Sequence, residues 1–233
     1  TSIIDEEVII EFIRQEHTKL MMKMEADGTF VVPGTDELCF DPTRVFLKEE
    51  KESGDKINAS YIDGFKQPKA YIVTKTPDSE AEIHKFWKMV WEQQSEIIVM
   101  LNKPDQNEKG LIYWKLEERS TLYCGNINVE TIKVRYLQQN LEITTLLVTH
   151  EVVGSLLVDH FLLKNWSEID SVPSGADFLN LVMKTRMDNK YEPTQKLPNY
   201  CKSPVVVHCS DGLNRSIVFC AIDISITRDQ KVG

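Results

Sequence analysis

The sequence predicts one domain of mixed α and β structure, and three observations carry that prediction. Its 233 residues are 42% hydrophobic and 27% charged. That is an ordinary globular composition, with enough apolar surface to build a core without metals or disulfides. Short β-branched runs alternate with segments whose apolar residues recur at helical spacing. No internal repeat, low-complexity tract or long linker divides the chain.

The first segment reads as a helix. Ile9, Ile13, Leu20 and Met24 recur on one face, and Asp5, Glu6 and Glu7 sit at its start, where the helix dipole favours negative charge. It ends at Asp27-Gly28. A turn-rich stretch runs through Pro33-Gly34, followed by an extended piece at residues 44–47 and a charged loop at 48–56. Residues 71–74 read as a strand ended by Pro77. Ser79 and Glu82 form a capping box for a helix with Ile83, Phe86, Trp87, Val90 and Trp91 on one stripe. Residues 97–101 form a short buried strand, and 132–137, 143–150 and 156–163 are further strands. Ser174 caps a helix carrying Phe178, Leu179, Val182, Met183 and Arg186. Residues 204–208 are a buried strand, and Ile217, Ala221 and Ile224 mark a closing helix.

The balance of charge and cysteine narrows the function classes. The formal net charge is −9, from 27 Lys+Arg against 36 Asp+Glu. Duplex nucleic acid is a poor partner for such a chain, although a local basic pocket still suits an anion. The five cysteines, Cys39, Cys124, Cys201, Cys209 and Cys220, are odd in number and irregular in spacing. They suggest neither a disulfide framework nor, with no CxxC pair, a structural zinc site. The acidic N-terminus is unlike a signal peptide, and no apolar run approaches the roughly 20 residues of a membrane span. A soluble, reduced, cytoplasmic protein is expected.

The chemistry concentrates in His208-Cys209-Ser210-Asp211-Gly212-Leu213-Asn214-Arg215-Ser216. A strand feeds a loop that opens a helix. Backbone N–H groups of residues 210–215 can therefore converge on one point and cradle an oxyanion. At the far end of the loop that runs from Cys209 to Arg215, the Arg215 guanidinium can close the nest and grip two phosphate oxygens. Cys209 sits at the floor of the same positive field, which pulls a thiol from about 8.5 toward the roughly 3.5–7.5 range of activated cysteines. A thiolate there faces bound phosphorus, the arrangement for transfer through a phosphocysteine. Ser216 is placed to hydrogen-bond the sulfur. The plain alternative is that Cys209 is a small buried hydrophobe; the strand before and helix after it favour the anion loop. Cys220 reads as a core residue.

At this point the sequence resembles the tyrosine-specific protein tyrosine phosphatase family. Residues 56–64, KINASYIDG, look like its YINAS block. Thr74-Lys75-Thr76-Pro77 is similar to its TQGP block, Phe86 to Gln93 to its FWxMVWEQ helix, and Val205 to Ser216 to its signature VVHCSAGxGRS. The run from Glu16-His17 to Thr29-Phe30 is similar to the branch carried by parasitoid-wasp viruses. The resemblance implies a twisted mixed β-sheet flanked by helices, in a cytoplasmic domain acting on phosphotyrosine proteins without a metal or other cofactor.

Several positions depart from the family's pattern. The tyrosine that walls the family's pocket falls on Gly34, which removes aromatic stacking and the depth filter. Asp36 falls where the family has an aspartate that holds the substrate backbone; a solvated turn residue is the alternative. The family's WPDFG loop, which supplies a general acid, matches Trp166-Ser167-Glu168-Ile169-Asp170. Glu168 is one carbon longer than the family's aspartate and Ser167 replaces its proline, and a misplacement of about 1 Å costs on the order of a hundredfold in rate. The alternative for Glu168 is an exposed loop carboxylate. Asp211 stands for an alanine and Asn214 for a glycine, so negative charge enters the loop and the left-handed conformation becomes costly at 214. CSDGxxR is also similar to the myotubularin loop of phosphoinositide phosphatases, in which the loop aspartate can serve as the acid. The chain ends soon after the closing helix, and nothing matches the family's glutamine-bearing segment.

Three functions follow as expectations. The first is a phosphatase domain, 1–233, that captures phosphotyrosine with impaired turnover. The second is a catalytically dead phosphotyrosine trap. The third, disfavoured by the overall acidity, is a phosphoinositide phosphatase using Asp211.

Overall fold

The computed structural model describes residues 43–48, 57–102, 112–166, 175–188, 203–210, 212 and 214–232. The expected first helix, Gly34, Asp36, Ser167, Glu168, Ser174, Asp211 and Leu213 lie outside them. The described elements run β1 (Ala59–Gly64), β2 (Gln67–Lys75), α1 (Glu80–Glu92), β3 (Ile97–Met100), β4 (Thr121–Cys124), β5 (Ile127–Gln138), β6 (Leu141–His150), β7 (Gly154–Leu163), α2 (Gly175–Asp188), β8 (Val205–Cys209) and α3 (Asn214–Val232).

The eight strands form one mixed sheet in the order β1-β2-β8-β3-β7-β6-β5-β4. The centre, β2-β8-β3-β7, is parallel, and both flanks are antiparallel. A parallel centre must be covered on both faces, so its strands carry continuous apolar runs. Alternate residues then serve opposite layers. Ile72, Ile98 and Val206 pack with Phe86, Trp87, Met89 and Val90 of α1. Val73, Val99 and Val207 pack with Phe178, Leu181 and Val182 of α2 and Val218 and Phe219 of α3.

The α1 stripe is as expected, with Met89 an additional buried member and Trp91 half-buried and stacked on His150 at 5.5 Å. Its cap differs in one bond. Ser79 Oγ accepts from Glu82 N at 3.3 Å, but the Glu82 carboxylate accepts from Asp78 N, one residue upstream of the reciprocal partner. Strands β1 and β4 were not expected, and β5 begins five residues earlier than expected. Two register irregularities let β5 run long beside β6, leaving Ile132 and Leu137 out of register. Among the described residues, no helix is long and apolar enough to cross a membrane.

Candidate active site

Three parallel strand ends meet at the tip of β8. Leu101 N, just past β3, donates to His208 O at 3.0 Å, and Thr76 N, just past β2, donates to Cys209 O at 2.9 Å. The last two residues of β8 are thus gripped from both sides, as only an interior strand can be. Alternation sends their side chains to opposite layers: Cys209 lies in the α2–α3 layer, while His208 lies against Phe86 of α1.

Beyond Cys209 the chain turns sharply. Gly212 N donates back to Cys209 O at 3.1 Å, and Gly212 has φ +74. A Cβ at 212 would stand 2.5 Å from Lys75 N and 2.7 Å from Thr74 C. Only glycine meets both the left-handed backbone and this approach to β2. Asn214 then opens α3 in an ordinary helical conformation, so the cost expected for a left-handed residue at 214 does not arise.

The first turn of α3 delivers one side chain to the thiol and a second to the end of β3. Ser216 Oγ, fully buried, donates to Cys209 Sγ at 3.1 Å. Arg215, also buried, donates through Nη1 to Leu101 O at 2.9 Å. One guanidinium donor is thereby fixed on the end of β3, which holds the planar group in place beside the helix N-terminus. Ser210, next to the cysteine, is exposed.

The other described cysteines show what burial does without such donors. Burial alone pushes the Cys124 thiol up to about 11. Burial, aided by the charges of Asp223 and Cys209, raises Cys220 well above its ordinary value. Cys220 packs in the core as expected.

On the opposite layer, His208 ends in a buried polar chain. Thr76 Oγ1 donates to Asn102 Oδ1 at 3.1 Å and lies 3.0 Å from His208 Nδ1. His208 Nε2 lies 2.6 Å from Tyr113 Oη, which is 2.7 Å from His160 Nε2. Burial holds both imidazoles neutral: His160 falls to about 3, and His208 falls well below its ordinary value with a further push from His160.

Of the residues singled out from sequence, the structure brings Cys209, Gly212, Arg215 and Ser216 together, with Asn214 at the helix start and Ser210 at the rim. Asp36, Glu168, Asp211 and Leu213 lie outside the described residues. Sequence reading missed Leu101, whose contribution is a carbonyl, and the chain Asn102–Thr76–His208–Tyr113–His160. Thr76 and His208 stood inside the quoted blocks, and His208 precedes the cysteine; those were the available signals.

Comparison with known proteins agrees with this geometry. The protein-tyrosine phosphatase family model matches residues 34–232. Tyrosine phosphatase-like protein J1 of Microplitis demolitor bracovirus (isolate Webb) is 37% identical over 199 residues, 83% of this chain and 65% of that protein. Tyrosine phosphatase H2 of the same virus is 32% identical over 233 residues, 93% of this chain and 71% of that protein. Human tyrosine-protein phosphatase non-receptor type 9 is 34% identical over 206 residues, 84% of this chain and 34% of that protein. The chain thus spans less than two thirds of two of these three relatives. Among solved structures, PTPN18 in complex with HER2 phosphopeptides superimposes with a TM-score of 0.73 at 25% identity, covering 97% of this chain and 81% of that one.

Proposed function

The chain belongs to the protein-tyrosine phosphatase family, and from that premise we propose that it captures phosphotyrosine proteins on the Cys209–Arg215 loop and transfers their phosphoryl group to Cys209, with turnover impaired. One observation carries the reading: Cys209 Sγ, at a gripped strand end, faces the first turn of α3 and accepts the Ser216 hydroxyl at 3.1 Å.

The chemistry divides into two steps. In the first, the Cys209 thiolate attacks phosphorus. The S–P bond forms as the P–O bond to tyrosine breaks, and the phenolic oxygen takes a proton from an acid. Arg215 and the loop amides hold the equatorial oxygens, where charge spreads in the transition state. In the second, water attacks phosphorus and sulfur leaves as thiolate. The Ser216 hydroxyl stabilises that leaving group, since a hydrogen bond to a charged acceptor is among the stronger kinds.

Impairment rests on the sequence. Gly34 offers no wall for the substrate ring, and we assign the acid role to Glu168, whose longer side chain follows Ser167 where the family has proline. Asp36 is assigned to the substrate backbone. A cytoplasmic setting suits a nucleophilic thiol, and no disulfide joins any two of the described cysteines.

The test is kinetic. With an aryl phosphate, single-turnover release of the phenol is expected to outrun steady-state turnover, giving a burst. Steady-state rates equal to those of ordinary family members contradict impairment. Absence of both phenol release and vanadate binding contradicts the whole reading. The dead-trap reading is favoured by the same Gly34 and Glu168 positions; it predicts that Cys209→Ser keeps phosphopeptide binding while Arg215→Ala loses it.

A further inference from the structure

We infer that the Thr76 hydroxyl is a positioning group for the candidate active site: it fixes the tautomer and ring orientation of His208, and through Asn102 it ties that ring to the segment whose carbonyl holds Arg215. The inference rests on the proposed role of the Cys209 loop only for its consequence; its geometry stands alone. The TQGP block that residues 74–77 resemble has glycine where this chain has Thr76, so the hydroxyl is a feature of this chain's own side chain.

The hydrogen bonds run in one direction. Thr76 Oγ1 gives its single proton to Asn102 Oδ1, so toward His208 it can only accept. His208 Nδ1 must therefore carry the proton in the 3.0 Å contact with Thr76. His208 Nε2 is then bare and accepts the Tyr113 hydroxyl, and Tyr113 Oη in turn accepts from His160 Nε2–H. The chain ends at the Nε2–H of His160. The reverse direction would need Thr76 Oγ1 to give a second proton, to His208 Nδ1, which a hydroxyl bound to Asn102 Oδ1 does not have.

The Thr76–Asn102 end of this chain touches the site. Thr76 N donates to Cys209 O, while its hydroxyl holds the side chain of the preceding residue, so Thr76 grips two successive residues of β8. Asn102 follows Leu101, whose N–H binds His208 O and whose carbonyl binds Arg215. Removing the hydroxyl leaves His208 Nδ1–H and Asn102 Oδ1 unsatisfied in a buried layer. The ring is then free to change tautomer or turn, and the strand end that presents Cys209 loosens with it.

The experiment compares Thr76→Val, which keeps the shape, Thr76→Gly, and Thr76→Ser, which keeps the hydroxyl. Imidazole nitrogen NMR on histidine-labelled protein reads the His208 tautomer, and iodoacetamide alkylation of Cys209, followed site by site by mass spectrometry, reads its thiolate against pH. The parent and Thr76→Ser are expected to show the Nδ1–H form of His208. Thr76→Val and Thr76→Gly are expected to lose it and to alkylate Cys209 about three- to tenfold more slowly below its midpoint. If Thr76→Val does not fold, the Ser–Gly pair carries the same contrast. An unchanged tautomer and alkylation profile in the hydroxyl-free variants overturns the inference. Failure of the parent to bind vanadate overturns the proposed function instead, and leaves the tautomer result standing.

Discussion

Two consecutive residues of one strand, His208 and Cys209, end up in chemically opposite regions. His208 faces the α1 layer, where every hydrogen bond is made to another buried side chain and burial keeps the imidazole neutral. Cys209 faces the α2–α3 layer, where a buried hydroxyl and a helix N-terminus converge on the sulfur. Both are almost wholly inaccessible. Burial therefore does not decide reactivity. What decides it is whether the surrounding donors favour the charged form or leave it unsupported. On the proposed reading, one side of β8 locks geometry and the other offers positive potential to an oxyanion.

The largest expected effects fall on the cysteine side. Cys209→Ser should lower phosphoryl transfer by about a thousandfold or more in single-turnover assays while leaving the fold intact by circular dichroism. Retention of transfer would move the nucleophile elsewhere. Arg215→Ala should reduce transfer by about 10²–10³-fold, comparable with loss of an oxyanion donor, and should abolish vanadate binding measured by calorimetry.

The next effects belong to the histidine side. His160 has its pKa depressed to about 3, and His208 is depressed as well. In the unfolded chain each takes up a proton near 6.5, whereas in the fold neither does. Their contribution is complete above that value and is lost as pH falls below it, at about 1.4 kcal/mol per pH unit for each histidine. Urea midpoints at pH 7 and pH 5 measure the loss, and His160→Gln should flatten the slope by about half. A slope unaffected by that substitution would mean His160 is not held neutral. Tyr113→Phe leaves the two imidazole Nε2 atoms facing each other without the hydroxyl between them. It should cost about 2 kcal/mol in urea unfolding.

The smallest effect returns to the thiol. Ser216→Ala removes the donor to sulfur and should slow phosphocysteine breakdown about tenfold, while phenol release in the first turnover changes less. An equal slowing of both steps would place the hydroxyl in attack rather than departure.

The same contrast explains what the sequence revealed. The Cys209 side was legible because strand, loop and helix lie within one short stretch, so spacing alone puts Arg215 and Ser216 in the first turn of the helix that follows the cysteine, where Ser216 meets the sulfur. The His208 side was not. Thr76 and His208 are 132 residues apart, Tyr113 and His208 are 95, and Tyr113 and His160 are 47. No local pattern links them; only the strand order β2-β8-β3-β7 makes them neighbours. The fold divides similarly. Helix α1 and strand β8 follow from periodicity and apolar runs. Strand β1, with the sequence ASYIDG and only one fully buried residue, forms through pairing with β2, which no propensity scale registers.

The most direct measurement of the central claim is an acid quench after one turnover with an aryl phosphate, followed by peptide mapping. The expected result is a phosphoryl group on Cys209, absent from the Cys209→Ser protein. Phenol release with no phosphoryl group on that cysteine would contradict the account.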